Sequence, residues 1–205
     1  MKMEGRKGSV ALVIILIILI IAIIFAASWV YFHRTKLSSA PSEVVSGTVF
    51  PSWETFIPLN KDFSIKVPSA PQERTYSSTS TQNLKLFTSG DASGTTYAIG
   101  EAVYLPSLST ATIQSIFNNS INTLIAERRG NTLVSFSTST FDGHPAIDYL
   151  IENNQYLPGD IVYSRGRNIL VGDKAFEIQM IYKAENQNDG TYNAFVSSFT
   201  LPPNF

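Results

Sequence analysis

Three spacings of apolar residues divide the chain. Over residues 10–32, VALVIILIILIIAIIFAASWVYF, there is no polar face at all, and Ser28 is the one polar side chain apart from the rims of Trp29 and Tyr31. A helix rising 1.5 Å per residue makes this run roughly 35 Å long, enough to cross a hydrocarbon core of about 30 Å. A helix in the core of a soluble domain would need a polar stripe toward water. The pattern predicts a transmembrane helix over 10–32, with a short tail at 1–9 and interfacial Trp29 and Tyr31 at its far end.

Alternation, the second spacing, begins after a Ser-, Pro- and Gly-containing stretch that reads as a flexible tether over 33–56. From residue 57 onward a folded domain is expected to run to 205. FSIKVP (63–68) sets Phe63, Ile65 and Val67 against Ser64 and Lys66, and Pro68 ends that strand. NLKLFT and TYAIGEAVYL are two more, joined by SGDASGT. TLVSFSTSTF, PAIDYLIEN, DIVYSRGRNILV and KAFEIQMIYKAE continue the alternation. In the last, Phe176, Ile178, Met180 and Tyr182 point one way, and Glu177, Gln179 and Lys183 the other.

The third spacing is helical. Ile113, Ile116, Phe117, Ile121, Leu124 and Ile125 share a face. Ser109 or Thr110 can cap that helix, and Arg128 and Arg129 suit the negative end of its dipole. Tyr192, Phe195, Val196 and Phe199 form a second stripe, with Asp189 as its expected cap and Pro202–Pro203 beyond it. The order β-β-β-α-β-β-β-β-α implies an α+β fold, an antiparallel sheet with helices packed on it.

Charge bears on topology and partners. Lys2, Arg6 and Lys7, with Glu4 among them, precede the apolar run, and Arg34 and Lys36 follow it. This small excess favours a cytoplasmic N-terminus and an extracytoplasmic C-terminal domain, a single-pass protein of the cell membrane. The Ser-, Thr- and Asn-rich, Lys-poor remainder fits that side. Two other readings of the N-terminus stay open: cleavage after Ser28, where Ala26 and Ser28 are small residues two apart, and a pilin-type leader ending at Gly8. Val13 stands where pilins carry an early acid. A net charge of −1 gives no electrostatic footprint for nucleic acid.

Candidate chemistry is thin. The chain has no cysteine, which excludes thiolate catalysis and Cys-ligated metals. TFDGHPAIDYLIE (140–152) gathers His144 with Asp142, Asp148 and Glu152. Asp142-Gly143 between two alternating runs is a strong hairpin signal, and Pro145 opens the returning strand. Asp148 and Glu152 on one strand face lie roughly 13 Å apart, beyond the separation of about 5–9.5 Å that paired glycosidase carboxylates use. The stretch reads as a turn. Glu185, Gln187 and Asp189 in ENQNDG alternate as in a calcium loop, but Val196 stands where the bidentate acid belongs. Tyr97, Tyr104, Tyr149, Tyr163 and Tyr182 read as core aromatics on strands. No catalytic residue, metal ligand or cofactor site is assigned.

FSIKVPSAPQERTY, FDGHPAIDYLIE, GRNILVGDKAFEIQMIY and FVSSFTL together resemble the PsbP-like group over roughly residues 57–202. The resemblance implies an antiparallel sheet covered by helices on both faces, an α/β/α sandwich. It also implies a non-enzymatic binding or assembly module of a kind often anchored to bacterial membranes, and it transfers no functional residue. The expectation is a membrane-anchored extracytoplasmic module, with the lipid bilayer as partner through 10–32 and an envelope protein as partner of the domain. A hydrolase-like enzyme with an unrecognised site and a pilin-like structural subunit are the alternatives.

Overall fold

The computed structural model describes residues 52–78, 81–103, 110–127, 129–157 and 159–203. The apolar run at 10–32 lies outside them. Among the described residues no helix is long and apolar enough to cross a membrane.

A short ribbon opens the fold: β1 (Glu54–Phe56) pairs antiparallel with β2 (Ile65–Val67). Then come β3 (Gln72–Ser78), β4 (Thr81–Gly90) and β5 (Thr96–Val103), helix α1 (Thr110–Glu127), and strands β6 (Asn131–Phe141), β7 (His144–Leu157), β8 (Asp160–Val171) and β9 (Lys174–Lys183). Helix α2 (Asp189–Ser197) closes the domain. The main sheet has seven strands in the order β3-β4-β5-β9-β8-β7-β6, every neighbouring pair antiparallel. Two meanders are thus joined at β5 and β9, so that β6 becomes an outer strand although it follows α1 directly.

Tight turns set the registers. Phe141 pairs with His144 across Asp142-Gly143, whose φ angles of 48° and 82° lie in the left-handed region a two-residue hairpin uses. Val171 pairs with Lys174 across Gly172-Asp173, with Gly172 at φ 60°.

Both faces of the sheet are covered, each by its own core. On one, Phe117, Ile121 and Leu124 of α1 pack against Leu84, Leu86, Ala98, Tyr149, Ile151 and Ile181. On the other, Tyr192, Phe195 and Val196 of α2 meet Phe63, Ile65 and Val67 over Phe87, Ile99, Ile178 and Met180. Phe63 stacks on Phe199 with ring centroids 5.4 Å apart, and both contact Phe176.

Several expectations need correction. Two strands were not visible in the sequence pattern: β1 falls in the stretch assigned to the tether, and β3, QERTYSS, has charged residues where an apolar alternation was sought. Trp53 also belongs with the domain, its ring edge-on to Tyr97 at 4.8 Å and to Phe195 at 6.1 Å. The cap of α2 is Asn188, whose side chain accepts from the Thr191 N–H at 3.0 Å, while Asp189 pairs with Arg165. Glu177 and Gln179 do lie opposite Phe176 and Ile178, on the face covered by α1, and are buried there. Helix α1 ends at Glu127, so Arg129 follows the helix instead of lying in its last turn. The side chain of Asn131 donates to the Leu124 carbonyl at 2.5 Å and satisfies one of the exposed acceptors at that end.

Candidate interaction surface

The acids of the 140–152 stretch are dispersed by the hairpin. Asp148 accepts from Arg167 Nε at 2.7 Å and Nη2 at 3.0 Å, and from the Ser139 hydroxyl at 2.9 Å. Glu152 accepts from Tyr163 at 3.2 Å. His144 opens β7 opposite Phe141, and Asp142 is exposed at the turn. Glu185, Gln187 and Asp189 lie on the surface before and at the start of α2. No group of three metal-ligating side chains occurs among the described residues.

A buried polar network lies under α1. Tyr149 donates to Glu177 Oε1 at 2.5 Å, and the Gln179 amide donates to the Tyr149 oxygen at 2.9 Å and to Ser164 at 2.7 Å. Burial first, and Glu177 second, push the Tyr149 hydroxyl well above its usual range, so it stays a proton donor. Tyr149 lies across Gly166, where an added Cβ would stand 2.4 Å from its hydroxyl oxygen. This cluster fastens β7, β8 and β9 to one another. It is closed to solvent, with Gln179 fully buried and Tyr149 2% exposed.

A second cluster sits on the α2 face. Lys174 pairs with Asp62 and lies 3.6 Å from Glu101, while Asn60 donates to both Glu101 oxygens at 2.9 and 3.0 Å. Burial chiefly, then the hydrogen bond shared with Asp62, raises the Glu101 carboxyl to about 6. Although burial opposes it, Asp62 is held below the usual range by its hydrogen bonds with Glu101 and Lys174. The cluster ties the 58–62 turn to the sheet and is spent on its own ion pairs.

An open cleft of about 300 Å³ is floored by Trp53, Tyr97 and Met180. Part of its polar rim is engaged within the fold, while Glu185 and Gln187 on the same rim are exposed. Asp91 accepts from the Ser93 and Thr95 N–H groups and from Tyr97, Asn186 donates to the Ser93 carbonyl, and Asn188 caps α2. These contacts hold the turns around the cleft in place.

The remaining feature is the β6 edge. An outer strand presents a row of backbone N–H and C=O groups to any chain that can lie beside it. The two edges of this sheet differ sharply in how they meet that hazard. β3 carries Glu73 and Arg74. β6, NTLVSFSTSTF, spans eleven residues without a charge or a proline, and it combines Val, Phe, Leu and Thr with serines. A register shift between Leu133 and Ser135 bulges its start, where Leu133 and Val134 are 36% and 51% exposed. Ser135 to Phe141 then pair regularly with β7 and leave a straight seven-residue edge. Sequence reading identified this strand but not its outer position, because the edge is created only when β9 pairs with β5.

No protein family and no curated protein matches the chain. Among solved structures it is similar to cyanobacterial PsbP from Synechocystis, with 10% identity and a TM-score of 0.49 over 80% of this chain and 100% of that one. A Bacteroides thetaiotaomicron protein shares 14% identity at a TM-score of 0.46, over 74% of this chain and 49% of that one. A Pseudomonas aeruginosa protein of unknown function shares 8% at 0.39, over 65% and 85%. The chain itself is a mostly antiparallel sheet with few helices.

Proposed function

We propose that this chain is a membrane-anchored, extracytoplasmic, non-catalytic binding module that joins its partner by strand addition at β6. The observation that carries the reading is the edge itself, eleven uncharged residues on an outer strand of a seven-stranded sheet. An edge of this composition, left bare, would template aggregation. A partner strand turns the same backbone groups into paired ones, as in other complexes built by strand addition. The apolar run at 10–32 supplies the anchor, and anchoring raises the effective concentration of the domain near partners in the same membrane. The motifs that resemble the PsbP-like group support membership of it and agree with a binding role, but they do not choose the partner.

A photo-crosslinking amino acid placed at Ser137 of the full chain, in intact membranes, tests the reading. The expected result is a discrete adduct of constant mass at Ser137 and none at Glu73 on β3, with the domain digested by protease added from outside the cell. Adducts equal at both edges, or none at Ser137, would contradict strand addition. A domain protected from external protease would contradict the extracytoplasmic placement.

A further inference from the structure

We infer that the strand added at β6 is the β6 of a second copy of this chain. The two copies would form a two-fold antiparallel pair across Ser135–Phe141 and join their sheets into one. This inference rests on the proposed binding role of β6 and names its occupant.

Composition is the first argument. In a two-fold strand pair a residue at the centre meets its own copy and every other residue meets its mirror position, so a charge at the centre faces a like charge. Like charges directly opposed on paired strands are destabilising. β6 has none at any position. The opposite edge, β3, carries adjacent Glu73 and Arg74.

Register is the second. The bulge ends at Ser135 and the hairpin turn begins after Phe141, so the regular segment has Thr138 at its midpoint. Pairing centred there sets Thr138 against Thr138 of the second copy, Ser137 against Ser139, Phe136 against Thr140, and Ser135 against Phe141. Hydroxyl pairs and aromatic–β-branched pairs are favourable cross-strand neighbours. The pairing also uses the full regular edge and no part of the bulge.

Where the chain enters the domain is the third. Trp53 and Phe56, the start of the described fold, pack on the α2 face of the sheet. The axis relating two antiparallel strands of one sheet stands perpendicular to that sheet. It therefore keeps the α2 faces of both copies, and with them Trp53 and Phe56, on the same side of the joined sheet. An isologous two-fold pair of this kind is compatible with two copies anchored through residues 10–32 in one bilayer.

The test uses the full chain reconstituted in phosphatidylcholine–phosphatidylglycerol vesicles. Since the chain has no cysteine, single cysteines report cleanly. Directly opposed residues on antiparallel strands have Cα atoms about 4.5–5.5 Å apart, within disulfide range. Under mild oxidation Thr138→Cys should form a disulfide dimer with itself. Ser137→Cys and Ser139→Cys should link more in a mixture than either does alone, and Glu73→Cys should remain monomeric. Thr138→Lys should abolish energy transfer between labelled copies, as should Thr138→Glu, and mixing the two should restore it. That rescue separates lost pairing from lost folding. Absence of self-linking throughout 135–141, or failure of the charge-swapped mixture, overturns the inference. If the photo-crosslink at Ser137 then reaches a different protein, strand addition survives with another occupant. With no adduct of either kind, both readings fall.

Discussion

Glu101 is a carboxyl group placed where a carboxylate is costly. It is 3% exposed, and burial with the shared Asp62 hydrogen bond raises it to about 6 from an ordinary 4.5. The folded chain thus holds this proton more tightly than the unfolded chain does. Its contribution to stability is fully present below about pH 4.5 and is lost as pH rises through about 6. A shift of this size corresponds to on the order of 2 kcal/mol. Asp62, held low, has the opposite sign and withdraws its contribution as pH falls below its ordinary 3.8. Stability is therefore expected to peak on the acidic side and to decline between about pH 4.5 and 6. Glu101→Gln should flatten that decline while Lys174 keeps Asp62. Urea midpoints of both proteins across that interval check the claim, and an unchanged slope in the variant would contradict it. None of this was legible from the sequence. Glu101 reads there as the polar member of an alternating strand, and only the 58–62 turn folding back over β5 buries it.

At the level of elements, legibility followed apolar contrast. PAIDYLIEN and KAFEIQMIY were read correctly as strands because side chains alternate sharply in character. QERTYSS was not, because an edge strand that guards itself with Glu73 and Arg74 has little apolar signal to give. Alternation also separates two faces without saying which is wet, so Glu177 and Gln179 were assigned correctly to one face while its cover by α1 stayed invisible. β1 escaped for a similar reason: three residues are too few to show a period, and its attachment depends on Trp53 and Phe56 finding the aromatic core. Trp53 is half-buried between Tyr97 and Phe195. A buried Trp→Ala change costs about 3–5 kcal/mol, so for this partly exposed ring we expect about 1–3 kcal/mol for Trp53→Ala. The lowered urea midpoint should come with faster proteolysis near residues 52–57. A midpoint equal to that of the parent chain would show that the ribbon adds nothing to the fold.

The whole molecule is shaped by one pairing, β5 with β9. It joins two meanders, buries the last strand at the centre of the sheet and leaves β6 outermost, although α1 separates it from β5 by only one crossover. The candidate surface is a consequence of that topology. Its composition could be seen in NTLVSFSTSTF, but its exposure could not, since an uncharged strand is ordinary at the centre of a sheet and a hazard at the rim. Occupancy of the outer side of β6 separates a paired strand from a bare one. Backbone hydrogen exchange of the full chain in vesicles reads this directly. If β6 is paired on both sides, the amides of Ser135–Phe141 exchange slowly throughout, alternate positions included, and far more slowly than those of Gln72–Arg74 on β3. If every second amide of β6 exchanges as fast as the β3 edge, the strand is bare and the central claim is wrong.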